Sequence, residues 1–312
     1  MAEIVTFTIN PSIDLSVAVE RVAPFQKLRC GSARRDPGGG GINVARVLKR
    51  LGADVQALYP SGGALGELLR RLLDQEGVCG QTVPLVEETR EDFTVFEHST
   101  GLQYRFVLPG PHLGEKEWKS CLELLDGLDR PARFVVGSGS LPPGVPDDFY
   151  GLLAQIAKRS GSKIVIDSTG RPLRAALDVG VYLVKPNLNE FKLLMGSALE
   201  SQSDWIKACR FLIEAGQVEI VALTLGDQGA LLVTRDLVLR APALPIKPVS
   251  VVGAGDSFLG AMIWSLASGH SVDTAFRYGV AAGSAALLAP GTELCRQADI
   301  ERMISDVKVQ RV

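Results

Sequence analysis

Short apolar runs rich in β-branched residues alternate with helix-length amphipathic stretches through most of this 312-residue chain. Glu3 to Ile9, Asp54 to Leu58, Ala132 to Val136, Lys163 to Ile166, Val181 to Val184 and Glu219 to Leu223 have the length and residue types of strands. Between them, Gly41 to Leu51, Leu65 to Gln75 and residues 147–159, 189–196 and 203–215 place apolar side chains at helical spacing. Strand followed by helix, repeated, predicts right-handed crossovers and therefore an α/β fold with a mostly parallel sheet between two helical layers.

The repetition breaks at 81–108. Val95 and Glu97, then Tyr104 and Phe106, alternate around a Ser99-Thr100-Gly101 turn, the pattern of an antiparallel hairpin with one wet face. Asp14 to Val19 alternates as well and can join it. We expect one domain over 1–312, carrying a small antiparallel lid built from about 12–35 and 81–108. The apolar face of such an insert must be covered, which points to a lid, a subunit contact or both.

Composition narrows the partners. With 33 Lys+Arg against 35 Asp+Glu the net charge is −2, so binding driven by the nucleic-acid backbone is not expected. The five cysteines form no C-x-x-C pair and the three histidines stand at no metal-ligand spacing, which argues against structural zinc. An odd cysteine count without an apolar leader fits a reducing cytoplasm. No apolar stretch is long enough for a membrane span; residues 278–292 come nearest, but Gly279, Gly283 and Pro290-Gly291 make them a buried core helix. The charge is local: Arg21, Lys27, Arg29, Arg34 and Arg35 share 21–35 with no acid, and the hairpin adds Arg90 and Arg105. Arg105 lies between Tyr104 and Phe106 and so faces away from them, and guanidinium groups on a lid suit a phosphate.

Two glycine loops each lead into a helix: Pro37-Gly38-Gly39-Gly40-Gly41-Ile42-Asn43 and Val252-Gly253-Ala254-Gly255-Asp256-Ser257. Glycines at a helix N-terminus expose unpaired N–H groups that an anion can approach closely. No G-x-x-x-x-G-K-[ST] is present, a dinucleotide fingerprint would need glycine at Asn43, and Gly137-Ser138-Gly139-Ser140 runs into Leu141-Pro142-Pro143, which cannot open a helix there. Asp256, in the first turn of its helix, is expected to be ionised and able to accept a proton beside the Gly253, Ala254 and Gly255 amides. A carboxylate next to an anion hole suits attack of a hydroxyl on phosphorus.

The pair GGGGINVA (38–45) and VVGAGDSFLGA (251–261) resembles the two signatures of the ribokinase-like, or PfkB, carbohydrate kinases. Lys185-Pro186-Asn187-Leu188-Asn189-Glu190 and Thr224-Leu225-Gly226-Asp227-Gln228-Gly229-Ala230 resemble two further elements of that family, so the likeness covers essentially the whole chain. Asn10-Pro11-Ser12-Ile13-Asp14, Lys27-Leu28-Arg29-Cys30, Gln103 to Gly110 and Ser138 to Gly144 are similar to its phosphosugar branch. The resemblance implies a ribokinase-like three-layer fold, with ATP as co-substrate and Mg²⁺ as cofactor. The implied reaction is phosphoryl transfer to the C1 hydroxyl of fructose 6-phosphate, with fructose 1-phosphate or tagatose 6-phosphate as alternative substrates. A non-catalytic sugar-phosphate or nucleotide sensor on the same fold is the alternative of another class.

Carried onto matching positions, the resemblance implies that Asp14, Gly39 and Asn43 bind sugar hydroxyls, joined by Ser138 or Ser140, and that Lys27, Arg90 and Arg105 hold the sugar's phosphate. Lys185 and Asn187 would approach the nucleotide phosphates, Glu190 would hold Mg²⁺ through water, and Thr224, Gly226 and Gly229 would border the nucleoside. Asp256 would be the base, with Gly253, Ala254 and Gly255 stabilising the transferring phosphoryl. A K⁺ site would use carbonyls around Ser250, Val252, Ala286 and Gly291, with Ala289 and Glu293 departing from the family's pattern. The hairpin is expected to join two subunits in a homodimer.

Overall fold

The first strand of the chain lies well inside its sheet. β1 (Ile4–Phe7) leads through β2 (Ser12–Val19) and β3 (Arg34–Gly38) to α1 (Gly40–Arg50), β4 (Val55–Ser61), α2 (Gly63–Gln75), β5 (Cys79–Pro84), β6 (Arg90–Glu97) and β7 (Gln103–Phe106). Then follow α3 (Glu115–Asp126), β8 (Phe134–Ser138), α4 (Phe149–Arg159), β9 (Lys163–Asp167), α5 (Gly170–Val179), β10 (Val181–Val184), α6 (Leu188–Met195), α7 (Gln202–Glu214) and β11 (Val218–Thr224). The chain closes with β12 (Ala230–Val233), β13 (Val238–Ala241), α8 (Ala254–Ala267), α9 (Val272–Ala286), α10 (Gln297–Met303) and β14 (Gln310–Arg311). These elements are those of a computed structural model that describes residues 3–196 and 199–312.

The main sheet has 10 strands in the order β14-β13-β12-β11-β10-β9-β8-β1-β4-β5. It is parallel from β5 to β11 and antiparallel at the β12–β14 edge. Alternate residues of one strand feed opposite cores, as the pleat requires. Phe134 and Val136 of β8 pack under α1, α2, α8, α9 and α10, whereas Val135 packs under α3, α4, α5 and α7. Burying a ring such as that of Phe258 is worth about 1.5–3 kcal/mol, and a Cβ on Gly279 would lie 3.2 Å from this ring, so the glycine lets α8 and α9 approach closely. No helix among the described residues is long and apolar enough to cross a membrane.

The second sheet is four-stranded, in the order β3-β2-β6-β7. Its outer pairings, β2·β3 and β6·β7, are antiparallel, and the central β2·β6 pairing is parallel, in register from Ser12↔Arg90 to Val19↔Glu97. The lid differs in extent from the sequence reading. Residues 81–84 pair with β4 as part of β5 in the main sheet, residues 20–33 form no strand, and β3 carries the lid on to Gly38. Edge pairing explains the first difference: Tyr59, Pro60 and Ser61 offer β5 a parallel partner, which the alternation of residues 81–84 alone does not reveal. The expected core helix over 278–292 is the second half of α9, which ends at Ala286 ahead of a loop containing Pro290.

Candidate active site

The C-terminal ends of β1, β8, β9 and β10 converge with the N-termini of α1 and α8 under the lid. At α8 the chain turns through Gly253 in the left-handed region (φ 75°) and enters the helix with no side-chain cap. The amides of Ala254 and Gly255 therefore point outward as uncapped donors. A Cβ on Gly255 would lie 3.0 Å from Lys185 Nζ, which puts the lysine ammonium directly over this turn.

Asp256 follows in the same turn. Asn43 of α1 donates from Nδ2 to Asp256 Oδ2 at 2.9 Å. Burial pushes the Asp256 carboxyl up to about 6; Asp167 adds to the rise, while Asn43, Lys185 and Arg105 oppose it. Loss of solvent thus works against the ionised form that the helix N-terminus favours. With a value of about 6 the group is still mainly ionised at pH 7.

Lys185 sits just past β10, 3.2 Å from Asp167 Oδ1 at the end of β9. Burial works against its charge, but Asp167, Asp256 and Glu190 outweigh burial and hold its pKa above the ordinary lysine value. Asn187 and Glu190 form a capping box on α6: Asn187 Oδ1 accepts from Glu190 N at 2.9 Å, and Glu190 Oε2 accepts from Asn187 N at 2.8 Å. The Asn187 carboxamide oxygen is therefore engaged with the helix. Burial, with Asp167 adding, raises the Glu190 pKa despite the Asn187 amide and Lys185. Two carboxylates that raise each other's energy, Asp167 and Glu190, are what a cation relieves. This partly buried pair of carboxylates is a donor set that fits Mg²⁺, an ion that keeps water and phosphate oxygens in its shell.

On the lid, Asp14 is buried, and Ser12 Oγ donates to its Oδ1 at 2.8 Å. Burial raises its pKa, against Ser12 and Arg105. The exposed Arg105 acts on both Asp14 and Asp256. Arg90 is more constrained: it donates to Leu108 O at 2.7 Å and Asn10 O at 3.1 Å and lies 3.4 Å from Asp92, while its buried Nε has no partner. Gly39 caps α1 at φ 102°, and side chains at Gly38 or Gly40 would collide with Asp14 and with Ser138 Oγ respectively. Ser138 is buried, whereas the exposed Ser140 accepts from Asn10 Nδ2 at 3.3 Å.

These motifs lie in the order and spacing of one protein family, and the family's sequence profile, pfkB family carbohydrate kinase, matches residues 1–299. The chain belongs to the pfkB family of carbohydrate kinases. It is 45% identical over 299 residues to ATP-dependent 6-phosphofructokinase isozyme 2 of Mycobacterium tuberculosis, covering 96% of this chain and 88% of that one. It is 41% identical to the isozyme 2 of Escherichia coli over 97% of this chain and 98% of the relative. The crystal structure of Escherichia coli phosphofructokinase-2 in complex with fructose-6-phosphate superposes with a TM-score of 0.92 at 39% identity, covering 98% and 99% of the two chains. Arabidopsis thaliana ribokinase, at 21% identity and a TM-score of 0.76, shares the fold.

The kinase fold brings Asp256, Asn43, Lys185, Glu190 and the Gly253-Ala254-Gly255 turn around one centre, with Asp14 and Arg105 facing it from the lid. Thr224 bridges to Asn187 across the sheet end, and Gly226 and Gly229 turn the following loop at φ 60° and 93°. Ser250 Oγ donates to Gly291 O at 3.2 Å and accepts from Val252 N at 3.2 Å, and Ser250 N donates to Leu287 O at 3.3 Å, so the four residues of the expected K⁺ site lie at the end of α9 and on the loops beside it. Lys27 stands apart on the exposed 20–33 loop, with no hydrogen bond or ion pair among the described residues. Of the cations at 21–35, Arg34 pairs with Asp36 and Glu293 and Arg35 with Glu91, so these two are already matched. Sequence reasoning missed Asp167 and Asp92. Asp167 ends a hydrophobic strand, which is a weak signal; Asp92, buried beside Arg90, belongs to no spaced motif.

Proposed function

We propose that this kinase transfers the γ-phosphoryl of ATP to the C1 hydroxyl of fructose 6-phosphate. The observation that carries the reading is the Asp256 carboxylate, buried, held by Asn43, and one residue beyond the uncapped amides of Ala254 and Gly255. A hydroxyl seated between Asp14 and Asp256 gives its proton to Asp256 as it attacks phosphorus. The Ala254 and Gly255 N–H groups and Lys185 face the negative charge that grows on the transferring group, and they are fixed before it forms. Mg²⁺, when bound through water to Glu190 and Asp167, neutralises phosphate charge. Thr224, Gly226 and Gly229 border the nucleoside, and Asn187 acts by shaping the turn that faces the phosphates.

Arg105 and Arg90 receive the sugar's own phosphate on the lid, Arg105 with its whole fork and Arg90 with the Nε left unpartnered. Lys27 extends this basic surface from its exposed loop. Potassium, which one solved Escherichia coli relative contains, would draw on second lone pairs of the Ala286 and Gly291 carbonyls. A soluble homodimer joined through the lid is the assembly we infer; a related Escherichia coli structure is described as a tetrameric inhibited form.

The test is kcat/KM measured side by side on fructose 6-phosphate, fructose 1-phosphate and tagatose 6-phosphate. Fructose 6-phosphate is expected to lead by at least about tenfold, ~1.4 kcal/mol in transition-state binding. Leadership by either of the others would overturn the substrate assignment, and no turnover of any of them would overturn the reaction.

A further inference from the structure

No fully buried side chain among the described residues is larger than Arg46. It lies on α1 one turn beyond Asn43, away from the reacting groups. Its Nε and Nη2 donate to Glu76 Oε1 at 2.9 and 2.7 Å. A buried guanidinium needs such a partner, and Glu76, with Asp36 at 3.9 Å, supplies it. Nη1 is used differently. It donates to Pro37 O at 2.9 Å, Thr292 O at 3.1 Å and Asn43 Oδ1 at 3.3 Å. One planar group is thus held by α2, by the base of the lid and by the loop after α9, and from that fixed position it reaches the amide that touches Asp256.

We propose that Arg46 is a positioning residue that sets which end of the Asn43 carboxamide faces Asp256. An asparagine amide can turn over at little steric cost, since its oxygen and nitrogen are nearly the same size. With Nη1 donating to Oδ1, the nitrogen must face Asp256 Oδ2 and donate to it. The turned amide would instead set its N–H groups against those of Arg46 and its oxygen against a carboxylate, leaving the first contact without an acceptor and the second without a proton. The other groups that act on Asp256 are Asp167 at the end of β9, Lys185 just past β10 and Arg105 on β7. Asn43 is the one that hydrogen-bonds to its side chain, so the amide's sense fixes which carboxylate oxygen is occupied and leaves Oδ1 for the substrate hydroxyl. The structural part of this inference stands without the proposed reaction; only its kinetic consequence rests on Asp256 acting as the base.

Arg46→Lys keeps the buried charge but loses the fork. In ¹H–¹⁵N spectra, the two Asn43 side-chain amide signals, assigned from Asn43→Ala, are expected to be well separated and slow to exchange in the wild type. In Arg46→Lys they are expected to draw together and exchange faster. Unchanged signals in a folded variant would overturn the proposal whatever the enzyme phosphorylates. On the kinetic side, Arg46→Lys is expected to lower kcat about tenfold with KM for ATP unchanged, but by less than about twofold when added to Asn43→Ala, because residues that act through one another do not add. Equal losses in both backgrounds would mean that Arg46 acts on the structure at large, and would overturn it too. If Arg46→Lys does not fold, Glu76→Gln loosens the same fork from a partly exposed position and carries both measurements. An expected loss of about threefold disappears in the Asn43→Ala background, and full additivity is again the contrary result.

Discussion

Asp256 combines two demands that oppose each other. Burial makes it a stronger base by raising its carboxyl to about 6, and the same burial would leave it protonated if Asn43, Lys185 and Arg105 did not pull the other way. A base must be ionised to accept a proton, so kcat/KM is expected to be level above pH about 7 and to fall about tenfold per unit well below pH 6. A pH profile of kcat/KM, which reports the free enzyme, checks this. Asp256→Asn should lower kcat by ~10²–10⁴ while substrate KM values move only a few fold. Arg105→Ala should raise KM for the phosphorylated sugar by ~10–100-fold and leave the unphosphorylated analogue nearly unaffected, the span of one charge-assisted hydrogen bond. At this scale the sequence was a good guide where a residue's placement is local. Gly253 to Asp256 could be read because the helix start and the carboxylate are neighbours in the chain, and the orientation of Arg105 followed from strand alternation. Asp167 could not be read, since its partner Lys185 comes from another strand and the two make no spaced motif. Arg34 looked like a free cation because one partner, Glu293, lies far along the chain and the other, Asp36, lies just beyond the basic run.

Among elements, the short turn into α8, to which we assign most of the chemistry, is an exacting backbone. Gly253 is left-handed, and a Cβ there would collide with Leu294. Gly253→Ala is therefore expected to cost at least about 1–2 kcal/mol from the conformation alone. It should lower Tm by several degrees in a thermal melt, and kcat should fall further than stability does because the amides turn with the residue. An unchanged kcat would show that the turn's donors do not face the reacting phosphoryl. The strand and helix alternation of the main sheet was legible because each such strand is buried on both faces and each helix on one, so the hydrophobic period reports the layer directly. α3 and α5 did not stand out, although Leu122, Leu125, Leu173, Ala176 and Leu177 bury one face of each. α3 carries Glu115, Lys116, Glu117, Lys119, Glu123 and Asp126 among its apolar residues, which blurs its stripe, and Pro172 in the first turn of α5 reads as a break when its helix is not yet known. The parallel β2·β6 pairing was beyond reach, because alternation identifies a wet face and says nothing about which strand lies alongside.

For the molecule as a whole, the unresolved apolar surface is on the lid. Phe106 is 57% and Leu102 56% exposed, with Val107 and Leu108 beside them and Phe25 and Leu28 on the nearby 20–33 segment of the chain. A patch of this composition on a four-stranded sheet is covered in solution by a second copy, on our reading. Phe106→Asp is expected to shift the enzyme from dimer to monomer in light scattering, and a dimer that survives the change would remove the lid from the interface. The lid has a further property that follows from its wiring. Its strands come from two excursions of the chain, and the whole β4–α2–β5 unit lies between them. Closing β2 onto β6 therefore closes a loop that passes through the body, and the entropy of that closure is smallest once β1, β4 and β5 are already held in the main sheet. Asp14 and Arg105 are therefore expected to come together late in folding. The half of the site that we assign to the sugar phosphate is not a separable hairpin, and its order depends on the body that carries the half we assign to the nucleotide.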